Sequence, residues 1–149
     1  GMIIWIGIGA TALVGVYNLM GGIEFVREMV FAVSGGDGLT TILFMMFILL
    51  ILGMFLDWVG VALLTMPIFV PIVTELGYSP IWFGVVFCMN MQVSFLSPPF
   101  GPAAFYLKTV TPKDITLGEI FRSLLPFIAL QIVALALLIA FPQLALWWQ

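Results

Sequence analysis

Long apolar segments alternate with short polar or glycine-rich connections along this chain, and the pattern predicts an all-α integral membrane protein. The apolar stretches reach the length that a bilayer-spanning helix needs, and most charged residues lie between them. The pattern predicts six segments, in order a transmembrane helix at 2–20, an interfacial helix at 22–33, a re-entrant helical hairpin at 39–75, a broken transmembrane helix at 80–110, an amphipathic helix at 116–123 and a last transmembrane helix at 124–142.

Two of these segments are amphipathic and too short to span a membrane. In the first, Glu24, Arg27 and Glu28 share one face at helical spacing and apolar residues cover the rest, which is typical of a helix lying at the membrane interface. In the second, Thr116 and Glu119 have the spacing of a capping box, which predicts a helix that begins there.

The segment 39–75 is too long for one simple span, and Gly53, Asp57 and Gly60 interrupt it near its centre. Two interpretations compete: two full spans joined by a tight loop, or a re-entrant hairpin whose tip lies at membrane depth. Each arm has about 16 residues, which is short for a full span, and a surface loop usually carries more polar residues than one aspartate. The pattern therefore favours the hairpin.

Asp57 is the only acidic residue that this scheme places at membrane depth. An ionisable side chain there is costly and is a functional candidate by default. Asp57 can equally cap the second arm by accepting backbone N–H bonds, and the two roles are compatible. An intramembrane aspartyl protease would need a second aspartate at the same depth, whereas Asp37 and Asp114 are predicted at surfaces.

Two prolines and a glycine interrupt the segment 80–110. Pro98 and Pro99 lack backbone N–H donors, and Gly101 frees the backbone further. The sequence predicts two half-helices with unwound backbone between them, at about 81–94 and 102–110. Lipid tolerates such backbone only where protein buries it or where it lines a polar cavity. The alternative is a proline-kinked span without a ligand.

The predicted break offers oxygen ligands for a small cation. Carbonyls freed by the prolines lie close to the side chains of Asn90, Ser94 and Ser97, and the N-terminus of the following half-helix suits an anion. Hard, neutral oxygen ligands without a carboxylate favour a monovalent ion over a divalent or transition metal ion.

The composition agrees with a membrane protein and excludes several classes of function. Hydrophobic residues make up 64% of the chain and charged residues 7%, with a net charge of −3. The chain has no basic patch for nucleic acid. It has no histidine and a single cysteine, Cys88, which excludes a Ser-His triad, an internal disulfide and a thiolate metal site. No enzymatic activity is predicted.

The basic residues predict an orientation in the membrane. In the six-segment scheme, Lys108, Lys113 and Arg122 lie on one side and Arg27 on the other. The positive-inside rule then places the first group in the cytoplasm. The hairpin should therefore open outward and the C-terminus should lie outside.

Several motifs carry a resemblance to a known family. They are Gly53–Trp58, Pro67–Ile72, Trp82–Gly84, Asn90–Gly101, Ile115–Ile120 and Phe141–Trp147. In these motifs the chain resembles the C-terminal third of the large membrane (permease) subunit of TRAP transporters, tripartite ATP-independent periplasmic systems for organic acids. Phe105 to Lys108 is most similar to the branch for mannitol, chloroaromatic compounds or α-keto acids.

The resemblance implies a multi-pass protein of the bacterial inner membrane that works as a secondary transporter. A periplasmic binding protein would deliver an organic acid, such as a C4-dicarboxylate or an α-keto acid, and a small membrane subunit would be the second partner. Sodium would drive import through an elevator movement, with no other metal or cofactor. The chain would be the second inverted-repeat half, a fragment that lacks the first repeat.

Carried onto this chain, the resemblance points to the hairpin tip and the helix break. The residues expected to hold sodium are Gly53, Asp57, Gly60, Ser94, Ser97, Pro98 and Gly101. The residues expected to face substrate are Asn90, Ser94 and Pro99. The alternative function is a non-transporting membrane scaffold or assembly subunit with kinked helices and no ligand.

Overall fold

A computed structural model describes residues 1–98 and 101–147, with Met2 and Ile3 described by their backbone alone. The described residues form α-helices and no strand: α1 Met2–Leu19, α2 Gly22–Ser34, α3 Gly38–Phe55, α4 Trp58–Glu75, α5 Pro80–Leu96, α6 Pro102–Val110, α7 Leu117–Ala140 and α8 Gln143–Leu146. The helical structure predicted for an all-α membrane protein is therefore confirmed.

Three of these helices are long and apolar enough to cross a membrane. They are α3 and α4, with 18 residues each, and α7, with 24 residues. The helices α1 and α2 meet at an angle of 79°, and together they pass the same criterion as one bent span. The helix α5 is apolar but shorter, with 17 residues.

The two arms of the predicted hairpin are longer than the sequence pattern suggested. At 1.5 Å per residue, an 18-residue helix is about 27 Å long, close to the thickness of the hydrocarbon core. Arm length therefore does not separate a re-entrant hairpin from two full spans, and the hairpin stays a prediction.

The helix break differs from the prediction at its start. The predicted first half-helix ends at about residue 94, whereas α5 extends to Leu96, so the interruption begins at Ser97. The structure also differs near the C-terminus, where the sequence predicts two helices that meet near Pro126. One helix, α7, runs through this proline, because membrane helices tolerate an internal proline when neighbouring groups satisfy the freed carbonyl.

The core lies between α3, α4 and α5. Ile42, Leu49, Val61 and Phe83 are completely buried there. Burial of such side chains contributes about 1.5–3 kcal/mol each in a soluble protein, but in a bilayer close packing replaces much of this driving force. The helix α3 makes its most extensive contact with α5, which places the first arm of the hairpin against the first half-helix.

Polar contacts fix the ends of the helices. Asp37 caps α3 by accepting hydrogen bonds from the N–H and hydroxyl of Thr40, at 3.0 and 2.9 Å, and these donors lower the pKa of its carboxyl group. Arg27 on α2 pairs with Glu24 at 2.7 Å and with Glu75 at the end of α4. The capping box predicted for Thr116 and Glu119 is present.

Candidate functional site

The turn between the hairpin arms consists of Leu56 and Asp57. The Asp57 side chain caps α4, because its carboxylate accepts a hydrogen bond from the N–H of Val59 at 3.2 Å. The residue is exposed, so the carboxylate keeps further acceptor positions open. The structure thus shows the capping role, and a role in ion binding stays a prediction.

Gly53, in the last turn of α3, lies directly against Ser94 on α5. A Cβ atom added to Gly53 would lie 2.8 Å from Cβ and 2.9 Å from Oγ of Ser94, which is closer than atoms in contact allow. Only glycine lets the two helices approach this closely. This contact brings the hairpin tip to within one turn of the helix break.

Asn90 joins the same two helices one turn further from the break. Its side-chain amide donates a hydrogen bond to the carbonyl of Met46 on α3 at 3.0 Å, and the residue is 1% exposed. The sequence predicts a substrate-facing role for Asn90, and the structure places its amide in the interface between α3 and α5. A buried amide in an apolar helix needs a hydrogen-bond partner, and this signal could have predicted the interhelical contact.

The break itself runs from Ser97 to Gly101, and Pro99 and Phe100 lie outside the described residues. Ser97 has extended backbone, and Pro102 starts α6. A Cβ atom on Gly101 would lie 2.8 Å from the carbonyl oxygen of Ser97, so the chain folds back closely on itself there. A side chain at position 101 would therefore clash with the backbone of the preceding turn.

The two serines near the break donate their hydroxyl protons to the helix. Ser94 Oγ donates to the carbonyl of Asn90 at 3.0 Å, and Ser97 Oγ donates to the carbonyl of Val93 at 2.7 Å. Because each proton is used in this way, the lone pairs of both hydroxyl oxygens are left to accept a further bond.

Backbone carbonyls at the break add to these oxygens. The carbonyl of Phe95 has no helical partner, because Pro98 and Pro99 occupy the positions three and four residues later and lack N–H groups. The N–H of Ser97 donates to the carbonyl of Ser94 at 3.1 Å, which closes the last turn of α5. The resulting set of acceptors is neutral, made of hydroxyl and carbonyl oxygens that suit a hard cation.

The structure brings together some of the predicted site residues. Gly53, Asn90 and Ser94 form one buried contact between α3 and α5, and Ser97, Pro98 and Gly101 follow directly. Gly60, in the first turn of α4, has no neighbouring atom within 4 Å of an added Cβ. Pro99 is not described. Within the described ranges, no three His, Cys, Asp or Glu side chains group into a metal site.

Most of the chain is similar in sequence to known proteins. Residues 1–144 match the family described as tripartite ATP-independent periplasmic transporter, DctM component. The sialic acid TRAP transporter large permease protein SiaM of Vibrio cholerae is 32% identical and the alignment covers 78% of this chain and 27% of that protein. The C4-dicarboxylate TRAP transporter large permease protein DctM of Pseudomonas aeruginosa is 34% identical, over 66% of this chain and 23% of that protein.

The ectoine TRAP transporter large permease protein TeaC of Halomonas elongata is 31% identical, over 62% of this chain and 21% of that protein. The chain thus spans about a fifth to a quarter of the length of the curated relatives it matches.

Proposed function

Because this chain belongs to the DctM family of tripartite ATP-independent periplasmic transporters, we propose that it is half of the membrane core of a sodium-driven importer. The half comprises one hairpin and one broken helix, the elements that carry substrate and ion sites in inverted-repeat secondary transporters. The transporter works in the inner membrane of a bacterium, and the hairpin is re-entrant and opens outward.

The contact between Gly53 and Ser94 is the observation that carries this proposal. It packs the last turn of α3 against the last turns of α5, so the hairpin tip and the helix break form one unit. A scaffold helix pair has no need for a glycine contact placed next to an interrupted helix. Two irregular backbone regions at one depth provide polar groups where lipid provides none.

Sodium binds at this unit, held by carbonyl oxygens of the break and by the hydroxyl oxygens of Ser94 and Ser97. The oxygens at the break are neutral and support a monovalent ion, because no carboxylate of the broken helix balances a second charge. A proton-driven carrier needs a titratable side chain at the site. The broken helix offers none, since the sequence has no carboxylate or histidine between Glu75 and Lys108, and the carboxylate at the hairpin tip, Asp57, caps α4.

The substrate is an organic acid, such as a C4-dicarboxylate or an α-keto acid. The N-terminus of α6, directly after Gly101, presents the positive end of the helix dipole, which favours an anion. The names of two relatives, for sialic acid and for C4-dicarboxylate, support an acid. A small membrane subunit and a periplasmic binding protein complete the system.

The test is substrate uptake into proteoliposomes that contain the complete permease, its small partner and the binding protein. We expect Ser97→Ala to lose one oxygen ligand and to raise the sodium concentration for half-maximal uptake by about two- to tenfold, with little change in the rate at saturating sodium. The matched control is Ser123→Ala, since Ser123 makes a similar local hydrogen bond on α7, away from the break.

A double substitution tests the break itself. Replacing Pro98 and Pro99 by alanine restores two backbone donors, so the helix can continue through the break. We expect the protein to insert in the membrane and to lose uptake. Uptake that ignores sodium and follows a pH gradient would overturn the proposed coupling.

A further inference from the structure

The helix α7 ends at a proline, which leaves one of its backbone carbonyls without a backbone donor. In an α-helix the carbonyl of Leu138 accepts from the N–H four residues later, but that position is Pro142, which has none. Phe141, before the proline, has left the helical conformation, with φ −126° and ψ 78°. The next backbone bonds go elsewhere, from Leu144 to Phe141 and from Ala145 to Pro142. The Leu138 carbonyl therefore needs a donor from another part of the chain.

Trp82, in the first turn of α5, provides that donor. Its indole N–H donates a hydrogen bond to the carbonyl of Leu138 at 2.8 Å. Trp82 is 1% exposed, so its indole N–H has to find a partner inside the protein. The acceptor left over by Pro142 and the buried donor of Trp82 thus satisfy each other across two helices.

An aromatic stack extends this connection to the base of the hairpin. The ring of Tyr78, in the connection before α5, lies on Trp82 with ring centroids 5.2 Å apart and ring planes at 23°. A Cβ atom added to Gly38, the first residue of α3, would lie 3.2 Å from the Tyr78 ring, so glycine gives this ring room to pack. We call this meeting point of Gly38, Tyr78, Trp82 and Leu138 the aromatic corner.

The aromatic corner lies at the opposite end of the two helices that carry the candidate site. The helix α3 runs from Gly38 at the corner to Gly53, and α5 runs from Pro80 beside the corner to Ser94. At 1.5 Å per residue these two stretches are nearly equal, about 21–23 Å long. A fixed corner therefore helps to set the register in which Gly53 meets Ser94.

We propose that Trp82 is a positioning residue, whose indole N–H replaces the backbone donor that Pro142 lacks and so fastens the end of α7 to the start of α5. The hairpin base, the start of the broken helix and the end of the last long helix then form one rigid unit. The inference does not depend on transport, because it uses only hydrogen bonding and packing at the aromatic corner. It predicts that the indole N–H matters less when residue 142 has an N–H of its own, which packing of the ring alone does not predict.

Hydrogen exchange in the complete permease, reconstituted in nanodiscs, tests this with two substitutions in combination. Trp82→Phe removes the donor and keeps an aromatic ring. Pro142→Ala restores a backbone N–H, and the right-handed helical backbone of residue 142 suits alanine. The readout is the exchange rate in the last turn of α7, where the N–H of Phe141 pairs with the carbonyl of Leu137, measured by mass spectrometry.

We expect Trp82→Phe to speed this exchange, and the acceleration to be about 3- to 30-fold larger with proline at position 142 than in Pro142→Ala. That factor corresponds to one interhelical hydrogen bond in a membrane. The matched control is Trp5→Phe, the same substitution at a residue of α1 that is 76% exposed. It should leave the exchange rate in the last turn of α7 unchanged, with either residue at position 142.

Circular dichroism and gel filtration check that each variant folds. If Trp82→Phe does not fold, benzothienylalanine at position 82 takes its place, since it keeps the size of the double ring and replaces only the N–H by sulfur. Equal acceleration with proline and with alanine at position 142 overturns the proposal, because the ring and not its N–H would then hold the corner. An unchanged exchange rate in Trp82→Phe with Pro142 present overturns it as well.

Discussion

Gly53 and Ser94 meet in a close contact between the hairpin and the broken helix. At the scale of single residues, the absence of a side chain at Gly53 is what allows the two helices to pack closely. At Gly53 the space for a Cβ atom is already occupied, whereas at Gly60 it is open. These two glycines therefore make a matched pair, since both lie inside helices and gain the same helix propensity on exchange to alanine.

We expect Gly53→Ala to destabilise the permease by about 1–3 kcal/mol, the usual cost of overpacking, and to reduce uptake. Thermal unfolding in detergent and proteoliposome uptake measure the two effects. Gly60→Ala should leave the thermal stability close to the native value, because the space for its Cβ atom is open. The double variant Gly53→Ala/Ser94→Gly removes the clash and should regain stability, and an unchanged defect in this variant would disprove the packing explanation.

Asp57 allows a separation of two roles at the same residue. Asp57→Ala removes both the cap on α4 and the charge, so it should impair uptake. Asp57→Asn keeps an oxygen that accepts the N–H of Val59 and drops only the charge. Uptake by Asp57→Asn should be near native if the cap is the role and low if the charge is needed. Native uptake in both variants would show that the residue is dispensable.

At the scale of elements, Asn90 connects α3 and α5 by a hydrogen bond that the bilayer cannot replace. We expect Asn90→Leu to lower the unfolding free energy by about 0.6–2 kcal/mol, the range measured for interhelical hydrogen bonds in membranes. The measurement is the thermal unfolding midpoint in detergent. Asn18→Leu, at an exposed position near the end of α1, is the control and should change little. A higher midpoint for Asn90→Leu would contradict a stabilising role.

The elements were largely predictable from the sequence, because prolines, glycines and apolar runs act locally. The helix ends near Asp57, Pro80 and Pro102 follow from caps and prolines that can be read directly. The contact between Gly53 and Ser94 was not predictable, since it joins residues far apart in the chain. The local pattern also misplaced the start of the break, because a helix can continue to within two residues of a proline.

At the scale of the whole molecule, the orientation in the membrane is the main prediction. Single cysteines at Asp37 and at Glu75, in a Cys88→Ser background, should react with an impermeant thiol reagent from outside. A cysteine at Lys113 should react only from the cytoplasmic side. Labelling in intact cells measures access from outside, and labelling in inverted vesicles measures access from the cytoplasmic side. Reaction of the Asp37 or Glu75 site only from the cytoplasmic side would disprove the topology.

A cysteine at Leu56 separates the two interpretations of α3 and α4. In a re-entrant hairpin this residue lies at membrane depth, and an impermeant reagent should reach it slowly from either side. In two full spans it lies in a cytoplasmic loop, and the reagent should react with it rapidly from that side.

The ion pair between Arg27 and Glu75 has a consequence for any response to salt. Its side chains are 33% and 48% exposed, so dissolved ions screen their attraction, and the tie between α2 and the end of α4 loosens as ionic strength rises. In the proposed transporter, added sodium chloride therefore changes two things, the proposed occupancy of the break by sodium and the strength of this outer contact. Replacing sodium by choline at constant ionic strength keeps the strength of the ion pair constant. Any response that remains then comes from the ion that binds.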